Sequence, residues 1–321
     1  MGADPGPAGP GLHTDTEAQM SQPDPGPVVL AVGDQPADAA MSFAVAEAQR
    51  LGCGLHVVHV VHSLPQGPEL VLVQSVDVEA VGRQSLRDAL ERCRELAGEG
   101  TRVTGRLMIG TVVHELVAAV EDLDEPRVVV LQHRDLSRVR RLVSRSTTRG
   151  LAARLRVPLV SVPAGWTGPP PTPGGAVVTA GVDSPERSDA VLVAAVGAAR
   201  AHGARLELLH SWGLPGFYDD PALARTHGEG VGRQEAQEIR ERLDALAGEG
   251  ALDLDGVEVS VEAYEEPTAE RLVDASRTSC LLVLGKHDPL VPMGSHLGPV
   301  TGAVLHEAAC PVLLVEPHRR G

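Results

Sequence analysis

Thr179-Ala180-Gly181-Val182-Asp183-Ser184-Pro185 runs out of an apolar segment into a turn, and 149 residues earlier Leu30-Ala31-Val32-Gly33-Asp34-Gln35-Pro36 does the same. Three further matches follow in the same order. Val81-Gly82-Arg83-Gln84 recurs unchanged as Val231-Gly232-Arg233-Gln234, and Leu96-Ala97-Gly98-Glu99-Gly100 as Leu246-Ala247-Gly248-Glu249-Gly250, both at an offset of 150. Val157-Pro158-Leu159-Val160 answers Cys310-Pro311-Val312-Leu313 at an offset of 153. An offset that grows slowly along the chain is what small loop insertions leave in a duplicated domain. One plan is therefore used twice, over residues 28–163 and 176–317. Ala164–Gly175 between them, rich in Pro and Gly, reads as a semi-rigid linker. Residues 1–27 hold little that could be buried and read as a disordered leader.

Within each copy, strand and helix signals alternate. In the second, Ala176–Gly181 is an apolar strand, and Ser188–His202 places Leu192, Ala195, Val196 and Ala199 on one helical face. Leu206–His210 is the next strand, followed by a charged amphipathic helix over Glu229–Ala247 that Gly248 is expected to close. Val257, Val259, Val261 and Ala263 alternate with polar residues, as a strand near a sheet edge would. Thr268–Ser276 is a helix, Cys280–Leu284 a strand, His296–Ala308 a helix, and Pro311–Val315 the last strand. The fold class expected is α/β: two tandem doubly wound, mostly parallel sheets of five strands each. The last strands, Pro158–Val162 and Pro311–Val315, would be bare apolar edges unless covered.

Composition narrows the function. The 321 residues suffice for two domains, and with aromatics at 2% their cores must be aliphatic. A formal net charge of −15 argues against nucleic acid and against an anionic membrane surface. No window approaches ~20 uninterrupted apolar residues. The acidic N-terminal stretch has neither a basic n-region nor an apolar h-region, so a cytoplasmic location is expected. Cys53, Cys93, Cys280 and Cys310 form no paired motif and read as reduced core residues. His56, His59 and His62 fall on a strand and its exit, where residues three apart face opposite sides, so no metal site is expected from them.

Doubly wound sheets bind ligands beyond the carboxyl ends of their strands, where the strand order reverses. In the second copy two segments should meet there: the turn carrying Asp183 and the loop that starts at Gly285. Backbone N–H groups at a loop entering a helix can hold phosphate, and glycines admit close approach or positive φ. Here the chain resembles the universal stress proteins, a family of nucleotide-binding α/β domains. That family often shows Gly, two residues, Gly, nine residues, then Gly followed by Ser or Thr. Gly285 and Gly298 match the first and third glycines. Val182-Asp183-Ser184-Pro185, Leu208-Leu209-His210-Ser211-Trp212 and Thr301–Val312 resemble the family's first strand end, second strand, and final helix and strand. The resemblance implies a site for an adenine nucleotide, ATP, with a magnesium ion as its companion. It assigns the contacts to Asp183, Ser211, Leu284, Gly285, Lys286, Gly298, Val300 and Thr301. It also implies that the two last strands pair across a pseudo-two-fold axis within the chain, leaving further homo-oligomer formation open.

Departures from the pattern weaken the site. Asp288 stands where the second glycine belongs, and Pro299 replaces the hydroxyl residue, removing a hydroxyl and an N–H donor. In the first copy Gln132, Asp135, Arg145 and Ser146 occupy the corresponding positions, so no ATP site of this type is expected there. Asp34 and Asp183 have a second reading as helix caps. Lys286, the chain's one lysine, either meets a phosphate, offsets Asp288, or is a chance surface residue. The arginine-rich segment Arg134–Arg156 reads as a solvated helix face or as a docking point for an anionic partner. No nucleophile-and-base pair or full phosphate-transfer motif is present, so a non-enzymatic binder is expected, with a nucleotide-free interaction scaffold as the alternative.

Overall fold

The computed structural model describes residues 26–35, 37–62, 77–133, 141–211, 221–265, 267–286 and 297–316; side chains at 141–146 and 221–229 fall outside the description. Strands and helices alternate through both halves. The first half runs β1 (Val28–Val32), α1 (Asp38–Arg50), β2 (Leu55–His62), α2 (Val78–Ala97), β3 (Val103–Gly110), α3 (Val112–Glu121), β4 (Val128–His133), α4 (Arg141–Ala152) and β5 (Leu159–Pro163). The second repeats it as β6 (Val177–Val182), α5 (Asp189–His202), β7 (Arg205–Ser211), α6 (Pro221–Gly248), β8 (Val259–Tyr264), α7 (Thr268–Ala275), β9 (Leu281–Gly285), α8 (Pro299–Glu307) and β10 (Val312–Val315).

Each half is a parallel sheet, ordered β3-β2-β1-β4-β5 and β10-β9-β6-β7-β8. Their outer strands β5 and β10 pair antiparallel, Leu314 opposite Leu159 and Val312 opposite Ser161, so ten strands form one sheet. This is the strand pairing the apolar edges called for. Because side chains alternate across a strand, each strand serves two cores. On β1, Val28, Leu30 and Val32 face one side and Val29 the other. The first side is covered by α1, α2, α5 and α6, the second by α3, α4, α7 and α8. β8 is an edge strand, as its alternating sequence suggested.

Several local expectations are corrected. Gly248 does not close α6: it is the helix's last residue, and Gly250 takes the left-handed turn at φ 72°. The identical sequence in the first half ends differently, with Gly98 itself at φ 62° capping α2. Neither Asp34 nor Asp183 is a helix cap; the residues before α1 and α5 are Ala37 and Ser188, and neither makes a side-chain cap bond. The linker, read as semi-rigid, packs on the folded halves. Trp166 packs edge-on against Phe43 at 5.7 Å, and the Thr172 hydroxyl donates to the Thr278 carbonyl at 2.9 Å. The leader up to residue 25, and His296 at the expected start of α8, lie outside the described residues.

Among the described residues no helix is long and apolar enough to cross a membrane. All four cysteines are buried, and none forms a disulfide.

Candidate functional site

β6 lies between β7 and β9, so the chain leaves it toward one side on the first crossover and returns to the other on the third. The carboxyl ends of β6 and β9 therefore part, and a pocket of about 330 Å³ opens between them. All eight residues named from the sequence lie on its wall: Asp183, Ser211, Leu284, Gly285, Lys286, Gly298, Val300 and Thr301.

The β6 wall begins with exposed Asp183. A single 3-10 turn, Pro185–Arg187, delays α5 until Asp189 and brings Arg187 and Ser188 to the pocket. Sequence reasoning missed these two, together with Val191, Thr268 and Leu272. Val191 and Leu272 were legible only as helix-face residues and Thr268 as a helix start; their shared address appears once α5 and α7 are packed on the sheet. Arg187 had one signal, a cation four residues beyond the turn aspartate.

On the opposite wall, Gly298 precedes α8 and Pro299 is its first residue. Proline suits that position because the first N–H of a helix has no intrahelical acceptor. The consequence for a ligand is one donor fewer, leaving Val300 and Thr301 as the N–H groups of the helix start. Gly298 sits at φ −63°, and Gly285 is not among the positive-φ glycines, so neither is required for a left-handed backbone. Gly285 matters through space: a Cβ there would come within 3.3 Å of Val191 Cγ2. The Thr301 hydroxyl donates to the Gly285 carbonyl at 3.5 Å, tying the two walls together.

Lys286 departs from two of its expected roles. It is 3% exposed, and its ammonium donates to the Leu155 carbonyl of the first half at 2.7 Å and to Glu316 Oε1 at 3.0 Å. The residue lines the pocket, but its charge is committed between the halves. It is neither a chance surface cation nor a free partner for phosphate. Asp288, the other charge it was weighed against, lies outside the described residues.

Behind the pocket, His210 donates from Nδ1 to the Val182 carbonyl at 2.9 Å, fixing the end of β6. His59 does the same to Val32 in the first half at 3.1 Å. A carbonyl only accepts, so the hydrogen sits on Nδ1 in both rings. Both histidines are buried.

The first half places a side chain at the equivalent position. Gln132 stands at the end of β4, where the second half has Gly285, and its Oε1 accepts from the Ala40 N–H at the start of α1, at 3.3 Å. The side chain thus reaches from the end of β4 to the start of α1. Asp135, like most of the arginine-rich segment and the side chains of Arg145 and Ser146, lies outside the described residues. Of that segment Arg149 is exposed, and Arg154 donates to the Gly150 carbonyl.

Among the described residues no three His, Cys, Asp or Glu side chains gather closely enough to hold a metal ion. Asp183 is the one carboxylate on the described lining. A magnesium ion here would take one protein carboxylate at most from these residues and depend on ligand phosphates for the rest.

The universal stress protein family model matches residues 26–163 and again 177–316, the two halves described above. A universal stress protein of Mycobacterium tuberculosis is 29% identical over 295 residues, spanning 90% of this chain and 96% of its own. A second from the same organism is 26% identical over 304 residues, spanning 89% and 94%. Among solved structures, a universal stress protein from Archaeoglobus fulgidus superposes with a TM-score of 0.58 at 14% identity, over 90% of this chain and 96% of that one. A putative universal stress protein from Pseudomonas aeruginosa gives 0.55 at 16% identity, over 90% and 92%. At such identities the likeness is one of fold.

Proposed function

The chain belongs to the universal stress protein family, and from that premise we propose that it is a cytoplasmic binding protein whose second half holds an adenine nucleotide, ATP, while the first half serves as its structural partner. The observation that carries this reading is the pocket between the ends of β6 and β9, where a carboxylate, hydroxyls and helix-start N–H groups converge on a space of about 330 Å³. That size lies within the range of small-molecule sites. The Gln132 side chain, standing in the first half where the second has Gly285 and bonded to Ala40, supports one site per chain rather than two.

Binding without turnover is the chemistry proposed. Of the described lining residues only Asp183 is a candidate general base, and no His or Cys stands beside it on the wall. The family pattern of the glycine loop supports phosphate as the anchored group, with the donors at Val300 and Thr301 in the place where the pattern puts them.

Thermal unfolding of the full chain with and without ATP tests the reading. At roughly a hundredfold excess over the dissociation constant, ATP should stabilise the protein by about 2.7 kcal/mol. A second reading, the nucleotide-free scaffold, is favoured by Pro299 and by the committed ammonium of Lys286. It requires no shift at any ATP concentration and no nucleotide in the purified protein.

A further inference from the structure

A phosphate entering this pocket needs positive charge or N–H donors, and two cations stand on the wall. Lys286 is buried with its ammonium spent on Leu155 and Glu316. Arg187 is exposed, sits on the 3-10 turn after β6, and has no carboxylate partner among the described residues. The usual donors are depleted at the same time: Pro299 has no N–H, Gly298 has no side chain, and the Thr301 hydroxyl is turned to the Gly285 carbonyl.

We infer that Arg187 is the specificity-determining residue of the pocket, binding the ligand's phosphate and so selecting adenosine phosphates over adenosine. This rests on the nucleotide reading above and goes beyond it, since the glycine loop alone does not single out Arg187. A guanidinium is always charged and presents a planar fork that matches two phosphate oxygens. The charges also orient the ligand. Asp183 repels phosphate and accepts hydrogen bonds from sugar hydroxyls or a base amine, so the nucleoside end lies at Asp183 and the phosphate end between Arg187 and the helix-start N–H groups of Val300 and Thr301.

The experiment is an equilibrium titration of the full chain with adenosine, AMP and ATP, using wild type, Arg187→Gln and Arg187→Lys. The side chain is exposed and unpaired, so both variants should unfold at the wild-type temperature, which melting curves verify. Wild type should prefer AMP and ATP to adenosine. Arg187→Gln should lose about tenfold or more for the phosphates, on the scale of a charge-assisted hydrogen bond, with adenosine unchanged. Arg187→Lys should keep part of the preference; retention no better than in Gln counts against charge as the cause. Phosphates bound equally well by wild type and Arg187→Gln overturn the inference and leave the nucleotide reading standing. Equal weakening of adenosine and AMP overturns it too, marking a purely structural role. Binding of none of the three by wild type removes both.

Discussion

Lys286 illustrates what a residue's neighbours in sequence do and do not convey. Beside Gly285 it reads as a loop cation near phosphate, yet its backbone N–H still bonds to Val315 and extends the β9 ladder by one step at 2.7 Å. Leu282 and Leu284 share its parity and face the core that also holds Leu155, so alternation sends the lysine to the same side. The parity was legible; the identity of the partner across the halves was not. A second pair spans the halves in the same way. His202 on α5 lies 3.7 Å from Glu47 on α1, and burial, with Arg50 nearby, pushes the histidine down to about 4. Glu47 is itself raised by burial, so it is a weak counter-charge for the ring. Between its ordinary value near 6.5 and about 4, His202 takes up a proton in the unfolded chain before the native one does. Stability should therefore fall as pH drops through that window, by up to about 3 kcal/mol. Glu47 works in the opposite sense: its native form protonates first, and its burial cost is relieved as pH falls just above the ordinary carboxylate value. Urea midpoints at about pH 7.5, 6 and 5 check this. The fall should be shallower in His202→Gln, and a slope unchanged by that substitution would remove His202 as its source.

At the scale of elements, the β5–β10 junction is where the two halves become one sheet, and it contains an uncompensated hydroxyl. Ser161, opposite Val312, is 2% exposed and its Oγ has no hydrogen-bond partner among the described residues. A buried polar group without a partner costs free energy, and removing it leaves only a small volume change. Ser161→Ala should be neutral or raise stability by up to about 1 kcal/mol, read from denaturant midpoints; a loss above that size would mean the hydroxyl is bonded in solution. The elements themselves were largely legible. Alternating Val and Leu runs marked the strands, and the offsets of the repeat fixed which strands correspond. Ends were less so. Leu-Ala-Gly-Glu-Gly occurs in both halves, yet the left-handed turn falls on Gly98 in one and Gly250 in the other. Either glycine can take that turn, and packing beyond the helix decides between them. Likewise the 3-10 turn that carries Arg187 to the pocket arises from how β6 meets α5, which no periodicity encodes.

For the whole molecule, duplication has produced two similar folds whose fourth strands end in different residues. The difference rests on what stands at the end of the fourth strand of each half: Gly285 leaves room beside Val191, and Gln132 bridges to α1. The sequence disclosed the substitution but not its consequence, because the reach of Gln132 to Ala40 depends on the packing of α1 on β4. The start of α8 was misplaced in the sequence, which suggested a helix from His296, whereas Gly298 precedes the helix and Pro299 begins it. Gly285→Gln would copy the side chain of the first half into the pocket of the second, and the first half indicates that the fold accommodates a side chain there. Calorimetric titration with ATP, giving moles bound per chain for wild type and for Gly285→Gln of unchanged circular dichroism, is the most direct measurement. One ATP per wild-type chain and none in the variant is the expected result; none or two in wild type, or one retained in the variant, would contradict a single working site between β6 and β9.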